Sequence, residues 1–523
     1  MVVALGCSPS SAADDMRSTS LDAAAEDGAI SYPSTSPFDW VGIIGTGQSL
    51  STGCDGDNGP ATSTAQPFKN IKLQDLGPDP KYPVDGRGSA QWSAVPLVEP
   101  IRTLVPGYPM GSYEYPNNIC ASNNVYGETP HSGFANTLSG LWETRGMGDY
   151  VTAHTVSGLG GACLFQIDKT TGGPTYASGI SEARVYKKLA DLAGKTYGVG
   201  GILLTHGECD SQNAPYNPDY EAKLFQLWND YNTDLKAVTG QTRDIVLIGS
   251  QQSSIPSGLN GPNVQLWRAG VDHPGKIICA GPKYAYGPYG VHMPASGYER
   301  FGEKYAEIFD AVVNRGVAWK PLGPNKVTRA GAVLTIDFDV PNPPLVWDTH
   351  LAANHQTVHT AWSKGQGFEV LDGSNAELEI ASAVIQGNSV VLTLAAAPSA
   401  STPLTLSYAL TQDGGGNWIG GYPDGMHGSL RDSDDFVGFA SETLDVVVTN
   451  GSPTIVGTSD VFARRGALDI VTGPGVSPDT VVSTVSGNQM QLSAPWSGAT
   501  GMTKLTFHHN HYNYCVHFSM AVP

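Results

Sequence analysis

The sequence predicts an α/β domain built on a parallel sheet, followed by an all-β module. Three observations carry this. Short apolar runs alternate with helical stretches from 37 to about 315. Polar or glycine-rich residues follow each run. After about 320 the period changes to two, with Pro, Gly, Asn and Asp as punctuation, the pattern of a β-sandwich or a similar module.

The strand candidates of the first part are 40–45, 150–156, 199–205, 244–249 and 276–280. Two helices stand out between and after them. One starts at Asn217-Pro218, a cap followed by proline, and puts Tyr220, Leu224, Leu227, Trp228, Tyr231 and Leu235 on one face. Another begins at Pro294 and carries Tyr298, Phe301, Tyr305, Ile308 and Val312. These stripes read as core. Alternating elements of this length imply right-handed crossovers, hence helices on both faces of a parallel sheet. In the second part Leu334, Ile336, Phe338 and Val340 alternate, as do Leu404, Leu406, Tyr408 and Leu410, and finally Val516, Phe518, Met520 and Val522. The Gly/Ser/Thr-rich stretch at about 451–510 reads as a β insertion that delays the last strand. Domains are therefore expected at 37–318 and 319–523, after a flexible tether over 1–36.

The 523 residues are 40% hydrophobic but only 15% charged, with 63 Gly and 36 Pro, a mixture that fits loop-rich extracellular proteins. A formal charge of −19 and no Lys/Arg-rich run leave no footprint for nucleic acid or an anionic membrane. No stretch reaches the roughly 20 apolar residues of a membrane helix. The opening "MVVALGCSPSS" looks like the tail of a lipoprotein signal, with Cys7 as candidate lipid anchor, so an extracytoplasmic protein is expected, secreted or anchored at a bacterial surface or periplasm. Beyond Cys7, six cysteines permit disulfides of unreadable pairing. His508, His509 and His511 cluster without partners at ligand spacing, so no metal site and no cofactor are expected.

In an open parallel sheet, ligands bind beyond the carboxyl ends of the strands. There the sequence collects "GTGQSLSTG" with Ser49, "SGLGGACL" with Gly160 and Gly161, "THGECD" with His206, Glu208 and Asp210, then Gln251, and then His292. A serine needs a base to become a nucleophile, and histidine titrates near neutral pH. Glycine N–H groups reach a developing oxyanion without side-chain obstruction. Gly-x-Ser-x-Gly is absent, because Ser51 holds the last position. Ester hydrolysis by Ser49 and His292 is the reading these residues favour.

The blocks "GTGQSLSTG", "SGLGGACL", "THGECD" and "YGVHMPASGYERFGEKYAEIF" resemble the ordered motifs of the SGNH-hydrolase superfamily. They are most similar to the sialate O-acetylesterase and acetylxylan-esterase-like carbohydrate esterases. The resemblance covers 38–315 and implies a flavodoxin-like three-layer hydrolase domain. It implies Ser49 as nucleophile and His292 as base. The oxyanion hole it implies is formed by Ser49, Gly160 or Gly161, and His206, which stands where the family has glutamine. Glu208 and Asp210 match an acidic pair, and Gln251 joins them as substrate-proximal. The family's Asp-x-x-His is here Tyr289-x-x-His292, so a Ser–His dyad is expected, with Glu208 or Asp272 as lesser candidates for the orienting acid.

The function so implied is removal of O-acetyl groups from a carbohydrate, a polysaccharide or a sialic acid, through an acyl-enzyme. Two readings compete: a broader carboxylesterase acting on lipids or polyesters, and a carbohydrate-binding adhesin whose hydrolase domain has lost activity. Trp347, Trp362 and Trp418 are candidate sugar-stacking platforms in the C-terminal module, with core packing the stronger alternative.

Overall fold

A computed structural model describes residues 36–56, 63, 65–75, 92–101, 127–170, 174–213, 218–287, 291–351, 358–412, 426–458, 462 and 464–523. Cys7, the tether over 1–35, Asn217, Tyr289 and Trp418 lie outside the described residues.

Seven strands form the first sheet: β1 (Trp40–Gly47), β2 (Ile71–Asp75), β3 (Trp92–Pro96), β4 (Thr152–Val156), β5 (Tyr197–Thr205), β6 (Val246–Gln251) and β7 (Ile277–Pro282). Their order is β3-β2-β4-β1-β5-β6-β7. Every neighbouring pair is parallel except β2 with β3. Without β3 and β2 at one end, the order β4-β1-β5-β6-β7 is that of a doubly wound sheet in which the first strand is flanked by the second and third. Among the described residues six α-helices accompany it: α1 (Pro130–Thr144), α2 (Pro174–Leu192), α3 (Glu208–Gln212), α4 (Tyr220–Thr239), α5 (Pro262–Asp272) and α6 (Ala295–Phe309).

The apolar runs are continuous because both faces of the sheet are covered. Ile44, Ile202, Leu204 and Leu247 pack with Tyr176, Ile180, Leu224, Leu227 and Leu266 from α2, α4 and α5. Val41, Ile43, Leu203 and Ile248 pack with Phe134, Leu138, Phe301 and Tyr305 from α1 and α6. Helix α4 starts later than its sequence signals suggest: Pro218 lies in the preceding turn and Asp219 takes the cap position.

The β-rich part contains β8 (Gly323–Ala330), β9 (Val333–Asp339), β10 (Val346–Trp347), β11 (Phe368–Asp372), β12 (Ile380–Gln386), β13 (Ser389–Leu394), β14 (Leu404–Tyr408), β15 (Leu430–Arg431), β16 (Glu442–Val448), β17 (Thr454–Gly457), β18 (Ile470–Thr472), β19 (Val482–Ser486), β20 (Gln489–Leu492), β21 (Gly501–His508) and β22 (Phe518–Val522). The sheets β12-β13-β9-β8 and β11-β14-β22 enclose one core, to which Leu334, Ile336, Val390, Leu392, Val370, Leu406 and Phe518 contribute. Trp362 is buried in it and donates its indole N–H to Val370 O at 3.2 Å, and Trp347 packs against it, so neither stands free as a stacking platform. The sheet β18-β21-β16-β17-β20-β19 has a core of its own around Val446, Ile455, Met490, Leu505 and Phe507. It takes in β16 as well as the 451–510 stretch, so this unit begins earlier than the texture of the sequence suggests. From it the chain returns to pair β22 with β14.

Candidate active site

β1 runs out at Gly47, and the chain turns at once into a 3-10 turn over Ser49–Thr52. Gln48 N–H donates to Thr205 O at the end of β5 (3.1 Å), and Ser51 Oγ–H donates back to Gln48 O (2.6 Å). Ser49 is thereby fixed at the carboxyl edge of the sheet, 3% exposed. His292 arrives from the connection between β7 and α6, and is 7% exposed.

His292 Nε2 lies 2.8 Å from Ser49 Oγ, and His292 Nδ1 lies 2.8 Å from Asp55 Oδ2. The tautomer that satisfies both contacts carries its proton on Nδ1, donates it to Asp55, and accepts the Ser49 hydroxyl proton on Nε2. Asp55 sits in the turn that follows the nucleophile, in the left-handed region at φ 59°, where aspartate is among the better-tolerated residues. Its side chain is 30% exposed. Tyr298 of α6 holds this turn by donating its hydroxyl to Cys54 O at 2.7 Å.

The carboxylate that faces the outer nitrogen of His292 thus comes from the turn after Ser49, not from position 289. Sequence reasoning overlooked Asp55 because it looked for an acid just upstream of the histidine. The available signal was a carboxylate in the tight Cys54-Asp55-Gly56 turn immediately after the serine block. The two acids expected instead are engaged elsewhere. Glu208 forms a buried ion pair with Lys283, and burial pulls the Lys283 ammonium below its ordinary range against the opposing pull of Glu208. Asp272 lies at the exposed end of α5, where it interacts with Glu221.

Two further expectations are corrected. His206 has no N–H left for an oxyanion: Nε2 faces Ala162 O and Nδ1 faces the Tyr220 hydroxyl, each at 2.9 Å. Burial holds its pKa below the ordinary histidine value. Neutral His206 donates from Nε2 to the carbonyl and accepts from the tyrosine, which ties it to the loop of Ala162. Gln251 likewise has no free amide. It donates to Asn263 O (2.8 Å) and His517 O (2.7 Å) and accepts from His517 N–H (2.9 Å), tying β6 to the chain leading into β22.

Asp210 accepts from Leu164 N–H at 2.9 Å, and burial raises its pKa. It braces the loop that carries Gly160 and Gly161. The same loop is joined to α3 by the Cys163–Cys209 disulfide, and to the end of β1 by Leu159 N–H donating to Gly47 O at 3.0 Å. The Gly160 and Gly161 amides donate to no described residue, and Gly161 is exposed. The Ser49 amide likewise donates to no described residue.

Cys54, Asp55 and His292 also approach each other closely enough to resemble a metal-ligand group. Cys54 is disulfide-bonded, however, and His292 uses both nitrogens on Ser49 and Asp55. A thiolate is not available there.

No family model and no curated protein matches the chain. Similar solved structures include a carbohydrate acetylesterase. This enzyme, from Xanthomonas citri, shares 12% identity over 76% of this chain and 81% of its own, with a TM-score of 0.45. NanS shares 13% identity over 53% of this chain and 98% of its own, with a TM-score of 0.34. A protein from Arabidopsis thaliana shares 14% identity over 53% of this chain and its full length, with a TM-score of 0.35. Overlaps this loose carry no argument about activity, which rests on the side chains.

Proposed function

We propose that the chain is a serine esterase of the SGNH type that removes O-acetyl groups from a carbohydrate, using a Ser49–His292–Asp55 triad. The observation that supports it is the unbroken line of contacts from Ser49 Oγ through His292 to Asp55, each 2.8 Å long. In this reading the Ser49 oxygen attacks the acetyl carbonyl carbon while its proton passes to His292 Nε2. Asp55 holds the ring and stabilises the imidazolium that forms. The carbonyl oxygen becomes an oxyanion opposite the amides of Ser49 and Gly160 or Gly161. Collapse breaks the ester C–O bond, and His292 returns the proton to the departing sugar oxygen. Water then repeats the sequence on the acetyl-serine and frees acetate.

A triad of this kind requires no metal or cofactor. The bracing of the glycine loop by Asp210 and a disulfide supports a site held ready before substrate arrives. The disulfide also supports an oxidising, extracytoplasmic location. A negatively charged chain suits an uncharged glycan better than a polyanion.

Acetate release should be measured side by side from acetylated xylan, acetylated xyloglucan, O-acetyl sialic acid and a small aryl acetate. Cleavage of at least one acetylated carbohydrate is the expected result. Failure on all of them, with the aryl acetate also surviving, would end the esterase reading. Cleavage of the aryl acetate alone, extended to a long-acyl aryl ester in a second assay, would favour a broader carboxylesterase.

A further inference from the structure

Outside the catalytic groups, one buried cluster has no part in the chemistry above. Glu303 of α6 meets His509 and His511, which lie on the chain between β21 and β22, and all three are sealed from solvent. Glu303 Oε2 stands 2.8 Å from His509 Nδ1 and 2.8 Å from His511 Nε2. The three donor atoms lie within 4.8 Å of one another. The other carboxylate oxygen, Oε1, accepts from Ala440 N–H at 2.9 Å, which fixes Oε2 toward the two rings.

Proton placement argues for a cation among these atoms. If both rings donate to Glu303 from their inner nitrogens, a neutral His509 turns a bare lone pair outward at Nε2. That nitrogen has no hydrogen-bond partner, and it faces Asp469 Oδ1 at 3.8 Å and Glu299 Oε2 at 4.0 Å. A buried lone pair against carboxylates is unfavourable, even though Arg464 and Arg465 approach the same carboxylates. With a divalent ion between the rings and Glu303, the inner lone pairs bind the metal. The His509 proton then sits on Nε2 on the side of Asp469 and Glu299, whose carboxylates favour it at 3.8 and 4.0 Å without accepting a hydrogen bond, while the His511 proton sits on Nδ1 with no described partner.

We propose that Glu303, His509 and His511 form a structural site for one divalent transition-metal ion of the zinc class, apart from the Ser49 centre. Two imidazoles and one carboxylate are a donor set suited to that class. The carboxylate is held from behind: a Cβ on Gly438 would stand 2.3 Å from Glu303 Oε2, so backbone lies directly over it, and the fourth position of the ion is left to water. The ion joins α6, whose start follows His292 in the chain, to the strand-β22 connection that completes the β-rich core. This role does not depend on the esterase reading.

The full-length protein, stripped with a chelator and dialysed, should be titrated with Zn²⁺ by calorimetry and melted with and without the metal. One equivalent should bind, and the melting temperature should rise by about 3 °C or more at a hundredfold excess over Kd. Glu303→Gln and His511→Gln should abolish both effects. Co²⁺ loaded into the wild-type chain should show the visible d–d bands of a low-coordinate site, a readout that needs no variant to fold. Absence of stoichiometric Zn²⁺ and Co²⁺ uptake by the wild-type chain would overturn the proposal, leaving protonated His509 as the partner of Glu303. Unchanged Zn²⁺ affinity in a folded His511→Gln protein would overturn it equally.

Discussion

Asp55 and Glu208 are both carboxylates beside the nucleophile block, yet their surroundings assign them different work. Asp55 is part-exposed and touches His292 Nδ1, so it can orient the ring and share the imidazolium charge. Replacing the equivalent acid by asparagine in a studied serine protease costs about 10⁴ in kcat by enforcing the wrong tautomer. Asp55→Asn should therefore lower kcat by as much as about 10⁴, while thermal unfolding stays close to wild type. Glu208→Gln should behave the other way round. It strands Lys283 as a buried, unpaired ammonium and should cost about 3–5 kcal/mol of stability, read by denaturant titration. Asp272→Asn, at an exposed helix end, should change neither quantity. Equal kcat for Asp55→Asn and wild type would return the account to a Ser–His dyad.

At the scale of elements, the site depends on two helices that touch through their backbones. An added Cβ at Gly302 of α6 would stand 1.9 Å from Pro130 O of α1, and one at Gly133 would stand 2.1 Å from Glu299 O. Gly302→Ala must push α6 away from α1, and α6 is the element that follows His292. The substitution should cost at least about 1–3 kcal/mol and lower kcat together with stability, measured by melting and by aryl-acetate hydrolysis. The Cys163–Cys209 bridge acts at the same scale. It closes a loop with a sequence separation of 46 residues, worth about 4 kcal/mol in the chain-entropy account. Replacing both cysteines by alanine should lower the melting temperature and loosen the glycine loop, seen as a fall in kcat larger than any change in KM. The strands that carry the site were legible from the sequence because doubly buried strands read as uninterrupted apolar runs. β2 and β3 escaped because short strands with charged or small residues, such as Lys72 and Ser93, lack that signature. The partners of Asp55 and Glu303 escaped for a different reason: each meets a histidine more than 200 positions away in the chain, and even the carboxylate turn after the serine block does not say which residue it faces.

Over the whole molecule, the two parts are joined by polar contacts that end in the C-terminal segment. Gln251 clasps His517, Lys304 pairs with Asp434 and contacts Asn513, and Tyr284 donates to Cys515 O at 3.1 Å. Strand β22 then supplies Phe518 and Val522 to the shared β core. Truncation after Asn510 removes this clasp and the strand, so it should give an insoluble or molten protein, judged by yield and loss of a cooperative melt. Removing the six-stranded unit between Ser441 and His508 with a short Gly/Ser linker should leave a soluble protein, since that unit has its own core. The measurement that tests the account most directly is covalent. Full-length protein should be mixed rapidly with an aryl acetate, quenched, and its acetylated peptide mapped by mass spectrometry, in parallel with Ser49→Ala and Asp55→Asn. The account expects acetyl-Ser49 in the wild type, none in Ser49→Ala, and acetylation slowed by orders of magnitude in Asp55→Asn. An acetyl group on any other side chain, or its undiminished formation in Ser49→Ala, would contradict it.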